Sequence, residues 1–133
     1  MLSLRKGELM ESLQSERVLV LGASDKPDRY SHKAMIMLQQ HGHTPVLVHP
    51  RLECINGIPV HQSLSEVEDI DTLTMYVNAQ ISSGMKEEIL NLGAKRVIFN
   101  PGTENPELKE VLIGKGVEVE EACTLVLLST SQF

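Results

Sequence analysis

The chain has 133 residues, 41% hydrophobic and 23% charged, with a formal net charge of -6 and no Trp, the size and balance of one domain around a single core. An acidic chain with 3% aromatic residues lacks the clustered cations and stacking rings that a nucleic-acid partner needs, although one anionic small molecule needs only a locally positive pocket. No apolar run approaches the roughly 20 residues that span a bilayer, MLSLRKGELMESLQSE carries acids throughout and is no secretory signal, and Cys54 and Cys123 have no C-x-x-C spacing, so no membrane partner and a reduced, cytoplasmic setting are expected.

Residues 1–14 read as a leader, with a short helix over 4–14 that puts Leu9 and Leu13 at helical spacing. RVLVLG (17–22) reads as a buried strand ending in a turn. From Ser31, whose hydroxyl is placed to cap a helix, HKAMIMLQQHG sets Ala34, Met35, Leu38 and His41 along one side, and Gly42 stops it. TPVLVHP (44–50) is a second strand closed by a proline. NGIPVHQSL (56–64) reads as a turn, a short extended piece and a capped start at Ser63 or Ser65. DTLTMYVN (71–78) is a β-branched strand, residues 82–92 a helix closed by Gly93, and AKRVIFN (94–100) another strand. NPELKEVLIGKG is a helix with Asn105 as cap and Pro106 at its first position. VEVEE (117–121) is a strand, and CTLVLLSTSQF closes the chain, either packed on the domain or offered to a second copy in a homodimer. Such alternation predicts an α/β fold over residues 15–133: one doubly wound, mostly parallel sheet with helices on both faces.

In an open parallel sheet, ligands bind beyond the carboxyl ends of the strands. The residues there are Gly22-Ala23-Ser24, His49-Pro50-Arg51, Val77-Asn78-Ala79, the run Asn100-Pro101-Gly102-Thr103-Glu104, and Ala122-Cys123. No nucleophile stands among them with a base and an orienter, so the rim suits binding better than bond-breaking. The G-x-G-x-x-G of dinucleotide sites is absent. Even so, Gly22 lets a ligand approach the backbone, and main-chain N–H groups, the Ser24 hydroxyl and the positive end of the next helix suit a phosphate. A bare strand-to-helix turn explains the same glycine.

An NAD site places an acid about 20 residues past its glycines. VHPR stands there instead, and His49-Pro50-Arg51 suits a phosphorylated ribose, as in NADP or coenzyme A, unless Arg51 is only a solvated arginine. Arg29, Tyr30 and Lys33 either supplement the grip on a diphosphate or leave Tyr30 packed over the loop with Arg29 and Lys33 in water; His32 reads as a capping or surface histidine. Pro101-Gly102 either makes only a turn or brings Thr103 and Glu104 to the cleft, and Cys123 reads as a small packed residue.

Through VLGASDKPDRYSHKA, the VHPR step, NGIPVHQSL, the VNA after the middle strand, FNPGTENPEL and the late Cys123, the chain resembles the stand-alone CoA-binding domain family, related to the nucleotide-binding domain of the succinyl-CoA synthetase α subunit. The resemblance runs from Arg17 to the end of the chain. It implies a Rossmann-like fold that binds coenzyme A or an acyl-CoA at the strand ends. Gly22, Ala23 and Ser24 would then lie on the phosphates, His49, Pro50 and Arg51 would border the adenosine with its 3′-phosphate, and Val77, Asn78 and Ala79 would line the adenine or pantetheine path. The histidine that transfers a phosphoryl group in the synthetases lies in a region this chain lacks, so that chemistry is not carried over. ACTLVLLSTSQF is more apolar than the polar, basic ending of many relatives.

The leading expectation is therefore a CoA-binding module with no catalytic or metal-ligating residues, acting as sensor, carrier or regulator. The alternative is an NAD(P)-binding oxidoreductase-like domain; against it stand the missing glycine motif, the lack of an acid for a hydride site and the lack of length for a substrate domain. A protein-interaction domain without a ligand is the third.

Overall fold

The computed structural model describes residues 15–133; the leader and its expected helix over 4–14 lie outside the described residues. In chain order the elements are β1 (Arg17–Leu21), α1 (Tyr30–Gln40), β2 (Thr44–Val48), β3 (Cys54–Ile55), β4 (Ile58–His61), a 3₁₀ turn at Leu64–Glu66, β5 (Thr72–Met75), α2 (Ala79–Gly84), α3 (Lys86–Leu92), β6 (Arg96–Phe99), α4 (Pro106–Gly114), β7 (Glu118–Glu121) and α5 (Thr124–Ser129). The strands form one seven-stranded sheet in the order β3-β4-β2-β1-β5-β6-β7. Every pairing is parallel except β3 with β4.

β1 is central, and its side chains alternate between two cores. Leu19 and Leu21 join a cluster with Ile89 of α3 and Leu108 and Leu112 of α4. Val18 and Val20 join another with Met35 and Leu38 of α1 and Leu128 of α5. A strand covered on both faces must be apolar at every position, which is why RVLVL reads as a continuous run and not as an alternation. The chain leaves β1 toward β2 on one side and later returns to β5 on the other, so β1 marks the point where the winding reverses.

The expected α/β, doubly wound, mostly parallel sheet is the fold observed, with several local differences. α1 starts at Tyr30, and its N-cap Arg29 makes no side-chain cap bond. Ser31 is instead buried in the first turn, because the turn closed by Arg29 N–H on the Lys26 carbonyl (3.0 Å) sets the helix going earlier. His41 is not on the buried face. It is the exposed C-cap, and its Nδ1–H donates to the Met37 carbonyl at 2.8 Å, satisfying a helix-end acceptor.

The helix expected over 82–92 is two helices. Asn78 Oδ1 accepts the Ile81 N–H at 2.9 Å and starts α2 three residues early; Met85, at φ -110 and ψ 15, separates it from α3. Asn56 and Gly57, with φ of 50 and 80, make a two-residue hairpin turn, so the antiparallel β3 precedes the extended piece. Ser63, not Ser65, caps the following turn, its Oγ accepting the Ser65 N–H at 3.2 Å. Asn105 caps α4 as read, accepting the Leu108 N–H at 3.1 Å. The C-terminal run folds back on the domain: Thr124 and Leu128 are buried, while Val126 stays exposed.

The amino ends of the strands are closed by charge and stacking. Arg96, its side chain only 12% exposed, meets Glu120 at 3.1 Å and Glu16 at 3.5 Å, donates from Nε to Thr72 Oγ1 at 3.1 Å, and lies 4.4 Å from the Phe133 ring centroid. His43 packs against Phe133 with the rings tilted by 53° and their centroids 5.0 Å apart, and its Nδ1 accepts the Glu16 N–H at 3.1 Å. Burial holds the His43 pKa below its ordinary 6.5 against the pull of Glu16, with His41 and Arg96 adding repulsion.

The sign of the resulting pH dependence follows. As pH falls through 6.5 the unfolded chain takes up a proton that folded His43 resists, so its contribution is complete above that pH and declines below it. Asp71, held below its ordinary 3.8 chiefly by the Arg17 N–H, loses its contribution only at far lower pH. The urea midpoint should therefore drop between about pH 7.5 and about pH 5.5, and His43→Gln should shrink that drop; an identical drop in the variant excludes His43 as its source.

Candidate functional site

The carboxyl ends of β1, β2, β5 and β6 surround an open cleft of about 900 Å³, of a size usual for small-molecule sites. Its base is the loop from β1 to α1. Gly22 has φ +94, and a Cβ there would lie 3.0 Å from the Tyr76 carbonyl oxygen and 3.0 Å from a Val77 methyl, so only glycine lets β1 leave the sheet this close to β5. The Gly22 and Ala23 N–H groups both reach the Val48 carbonyl, at 3.3 and 3.2 Å, and tie the loop to the end of β2. Ser24 Oγ accepts the Lys26 N–H at 3.1 Å, which leaves its hydroxyl proton free. Among the described residues, the main-chain N–H groups of Ser24, Asp25, Tyr30 and Ser31 have no acceptor.

His32 is buried and is neither a helix cap nor a surface residue. Its Nδ1 lies 2.8 Å from the Ser24 carbonyl, and because a carbonyl only accepts, that nitrogen carries the proton. The imidazole thus fastens the loop to α1. At the β2 end, His49 Nδ1 accepts two main-chain N–H groups, from Arg51 at 3.0 Å and Leu52 at 3.1 Å. Neutral His49 therefore carries its proton on Nε2. Gln62, beyond β4, donates both amide protons, to the Leu52 carbonyl at 2.7 Å and the Val60 carbonyl at 3.1 Å.

Among the residues singled out in the sequence, the cleft brings together Gly22, Ala23, Ser24, Arg29 and Tyr30 from the first loop, and His49 and Pro50 from the second. It adds Val77 and Asn78 after β5, and Pro101 and Gly102 after β6. Lys33, Arg51 and Ala79 are not in the lining. Lys33 Nζ sits 5.6 Å from the centroid of the exposed Tyr30 ring, the Arg51 side chain is exposed beyond the rim, and Ala79 opens α2 behind Asn78. Thr103 lines the cleft, but Glu104 does not, since its carboxylate accepts the Gly102 N–H at 3.0 Å in its own loop.

Sequence reasoning missed Lys26, Leu52, Gln62, Tyr76, Ile81 and Met85, all in the lining. Lys26 stands in the same GASDKPDR loop as its neighbours and was open to the same argument. Ile81 and Met85 follow Val77 at intervals of four, a helical face that becomes visible once α2 is known to start at Ala79. Formal charge within the lining is confined to the first loop, as the cations Lys26 and Arg29 and the carboxylate Asp25.

Beneath the rim lies a buried polar network. The Asn100 amide donates to Thr74 Oγ1 and to the Met75 carbonyl, both at 2.8 Å, while its Oδ1 accepts the Thr124 N–H at 2.8 Å. The Thr74 and Thr124 hydroxyls meet at 2.7 Å. Tyr76 Oη is buried beside them without a hydrogen-bond partner among the described residues. Burial dominates in pushing its pKa up to about 12; the Thr124 and Thr74 hydroxyls act weakly the other way without reaching bonding geometry, and Cys123 adds to the rise.

The CoA binding domain family matches residues 16–129. This chain belongs to that family. A curated relative, the uncharacterized protein YneT of Bacillus subtilis (strain 168), is 33% identical over 113 residues, 84% of each chain. A crystal structure of an uncharacterized protein has 39% identity and a TM-score of 0.85, covering 90% of this chain and 98% of its own. A dinucleotide-forming acetyl-coenzyme A synthetase of Candidatus Korarchaeum cryptofilum, solved with phosphate and ADP, shares the fold at 20% identity and a TM-score of 0.69; it covers 85% of this chain, which spans 27% of the synthetase chain. CoA-binding domain relatives and this chain thus share one Rossmann-like sheet.

Two substitutions test the floor of the cleft. Gly22→Ala should cost about 2–3 kcal/mol in urea unfolding, because positive φ and a clash with main-chain atoms add; a loss below about 0.5 kcal/mol would show that the loop is not held against β5. Tyr76→Phe removes an unsatisfied buried hydroxyl and should leave stability unchanged or raise it by up to about 1 kcal/mol. A loss above that would mean the hydroxyl has a partner.

Proposed function

We propose that the cleft binds coenzyme A or an acyl-CoA, and that the chain is a binding or regulatory module without chemistry of its own. The observation that carries this reading is the β1–α1 loop of a CoA-binding domain chain. In the cleft lining it combines four main-chain N–H groups without acceptors among the described residues, a free Ser24 hydroxyl proton, Lys26 and Arg29, and the amino end of an 11-residue helix. Aligned donors at a helix start with two cations beside them are what a diphosphate requires. Gly22 keeps that loop pressed to the sheet, and Val77, Ile81 and Met85 give the β5 side an apolar wall suited to a pantetheine arm or an acyl chain.

The hydrogen bonding of the two imidazoles supports a role without catalysis. His32 directs its bonded nitrogen at a carbonyl and His49 directs its own at main-chain N–H groups, so neither is paired with the Ser24 hydroxyl as a base. Arg51, exposed two residues beyond His49, supplies in this reading the cation for the 3′-phosphate. Two free cysteines agree with a reducing, cytoplasmic setting. Among the described residues no helix is long and apolar enough to cross a membrane. A homodimer through α5 would use Val126, its exposed apolar side chain; light scattering that shows only monomer ends that part.

Calorimetric titration decides the rest. CoA should bind more tightly than NADP, and Lys26→Ala and Arg29→Ala should each weaken CoA by about tenfold. Equal affinity for CoA and dephospho-CoA removes the role of Arg51, and NADP binding more tightly than CoA turns the assignment toward a nicotinamide cofactor.

A further inference from the structure

We infer that His49 and Gln62 form a fixed donor–acceptor pair that reads the edge of a purine and selects adenine over a 6-oxopurine; this rests on the proposal that the cleft holds an adenine nucleotide. With a diphosphate on the β1–α1 loop, the nucleoside of a ligand in such a sheet lies toward the carboxyl end of β2. That corner is lined by His49, Pro50, Leu52 and Gln62, and none of its side chains is a formal cation or carboxylate. Pro50 and Leu52 offer apolar surface to a flat ring. The polar groups beside them are one imidazole and one amide.

Each is held in a single hydrogen-bonding role. His49 Nδ1 accepts from two main-chain N–H groups, so the neutral ring presents Nε2–H, a donor. Gln62 Nε2 faces two carbonyl oxygens, and an amide turned over would set oxygen against both, so Gln62 presents Oε1, an acceptor. Among the described residues nothing donates to that oxygen. Both are fastened to one residue: Leu52 donates its N–H to His49, and its carbonyl accepts from Gln62.

A donor beside an acceptor complements the 6-amino group of adenine and the ring nitrogen next to it. Hypoxanthine replaces the amino donor with an oxygen, which meets the lone pairs of Gln62 Oε1. Neither His49 nor Gln62 can swap roles without losing two hydrogen bonds, and hypoxanthine meets the unchanged pair only with its ring turned over, O6 on His49 and N1–H on Gln62, which displaces N9 and the ribose that ties the base to the diphosphate. Rejection of a ligand that leaves polar groups mismatched is the strong form of hydrogen-bond specificity.

The test is calorimetric titration of the full chain with CoA and deamino-CoA, in which hypoxanthine replaces adenine, and with ADP and IDP, using wild type and Gln62→Ala. Wild type should hold CoA at least about tenfold more tightly than deamino-CoA, and Gln62→Ala should narrow that gap to within about threefold. Equal binding of CoA and deamino-CoA by wild type overturns the inference and leaves the CoA assignment standing; this comparison needs no variant. A variant that weakens both ligands alike, or keeps the full gap, also overturns it, because Gln62 then only braces the hairpin or takes no part. Should neither CoA compound bind while ADP outbinds IDP by about tenfold, the base reading stands and the CoA assignment falls. If none of the four binds, both fall.

Discussion

The close passage of Gly22 against the Tyr76 main chain governs the arrangement around it. β1 stands between β2 and β5, and the loop leaving it must turn within van der Waals reach of the β5 backbone. A side chain at position 22 would lift that loop off the sheet. Because it stays down, the Gly22 and Ala23 N–H groups meet the Val48 carbonyl, and the loop bridges the ends of two strands that have no hydrogen bond to each other. The following N–H groups then have no sheet partner left to claim them. Exposed main-chain donors are ordinarily a cost at a helix start. Here they gather where the winding reverses, which turns a structural deficit into an anion site in the proposed reading.

Three imidazoles serve the structure as hydrogen-bonding struts more than as charges. His32 donates to the Ser24 carbonyl, His49 accepts from the turn after β2, and His43 accepts from Glu16 at the opposite end of the sheet. A ring whose nitrogen is an acceptor cannot take a proton there without breaking the bond. The formal cations in the cleft lining are Lys26 and Arg29, both on one loop. The cleft is polarised along its length, with cations at the β1 end, neutral donors and acceptors at the β2 end, and apolar side chains at the β5 end. A ligand that is anionic in the middle, aromatic at one end and flexible at the other matches that sequence of surfaces.

What the amino-acid sequence disclosed follows from the range of the forces involved. β1 was legible because a doubly covered strand is apolar throughout, and α4 because Asn105 and Pro106 mark its start by local chemistry. The break at Met85 was not legible, since the Ser82-Ser83-Gly84 stretch weakens a helix without forbidding it and the decision belongs to packing. β3 has two residues, too few for any periodicity. Within the cleft, loop residues next to a strand end could be named from the sequence. Gln62 could not, because it reaches the cleft through hydrogen bonds to Leu52 and Val60 that exist only after the hairpin has folded. Lys33 and Arg51 failed to reach the lining for the converse reason: adjacency in sequence says nothing about which way a long side chain leaves a helix or a turn.

The two ends of the sheet do different work. At the amino ends, Arg96 is held by Glu16, Glu120, Thr72 and the Phe133 ring, so nearly every donor of its guanidinium is engaged and the surface is closed. At the carboxyl ends the closed layer lies one step deeper, at Asn100, Thr74 and Thr124, and the loops above it are left with unmatched groups. That depth matters energetically. The Asn100 network fixes the ends of β5 and β6 and the start of α5 through buried bonds, and of the lining residues Thr103 joins it, its hydroxyl donating to the Asn100 carbonyl at 2.8 Å. A ligand occupying the cleft would add stability by mass action, while the Asn100 hydrogen bonds beneath it are made without it. In the proposed reading a binding module of this size gains from that arrangement: exposed side chains such as Lys26, Arg29 and Arg51 can change while Gly22, β1, β5 and the Asn100 layer stay as they are.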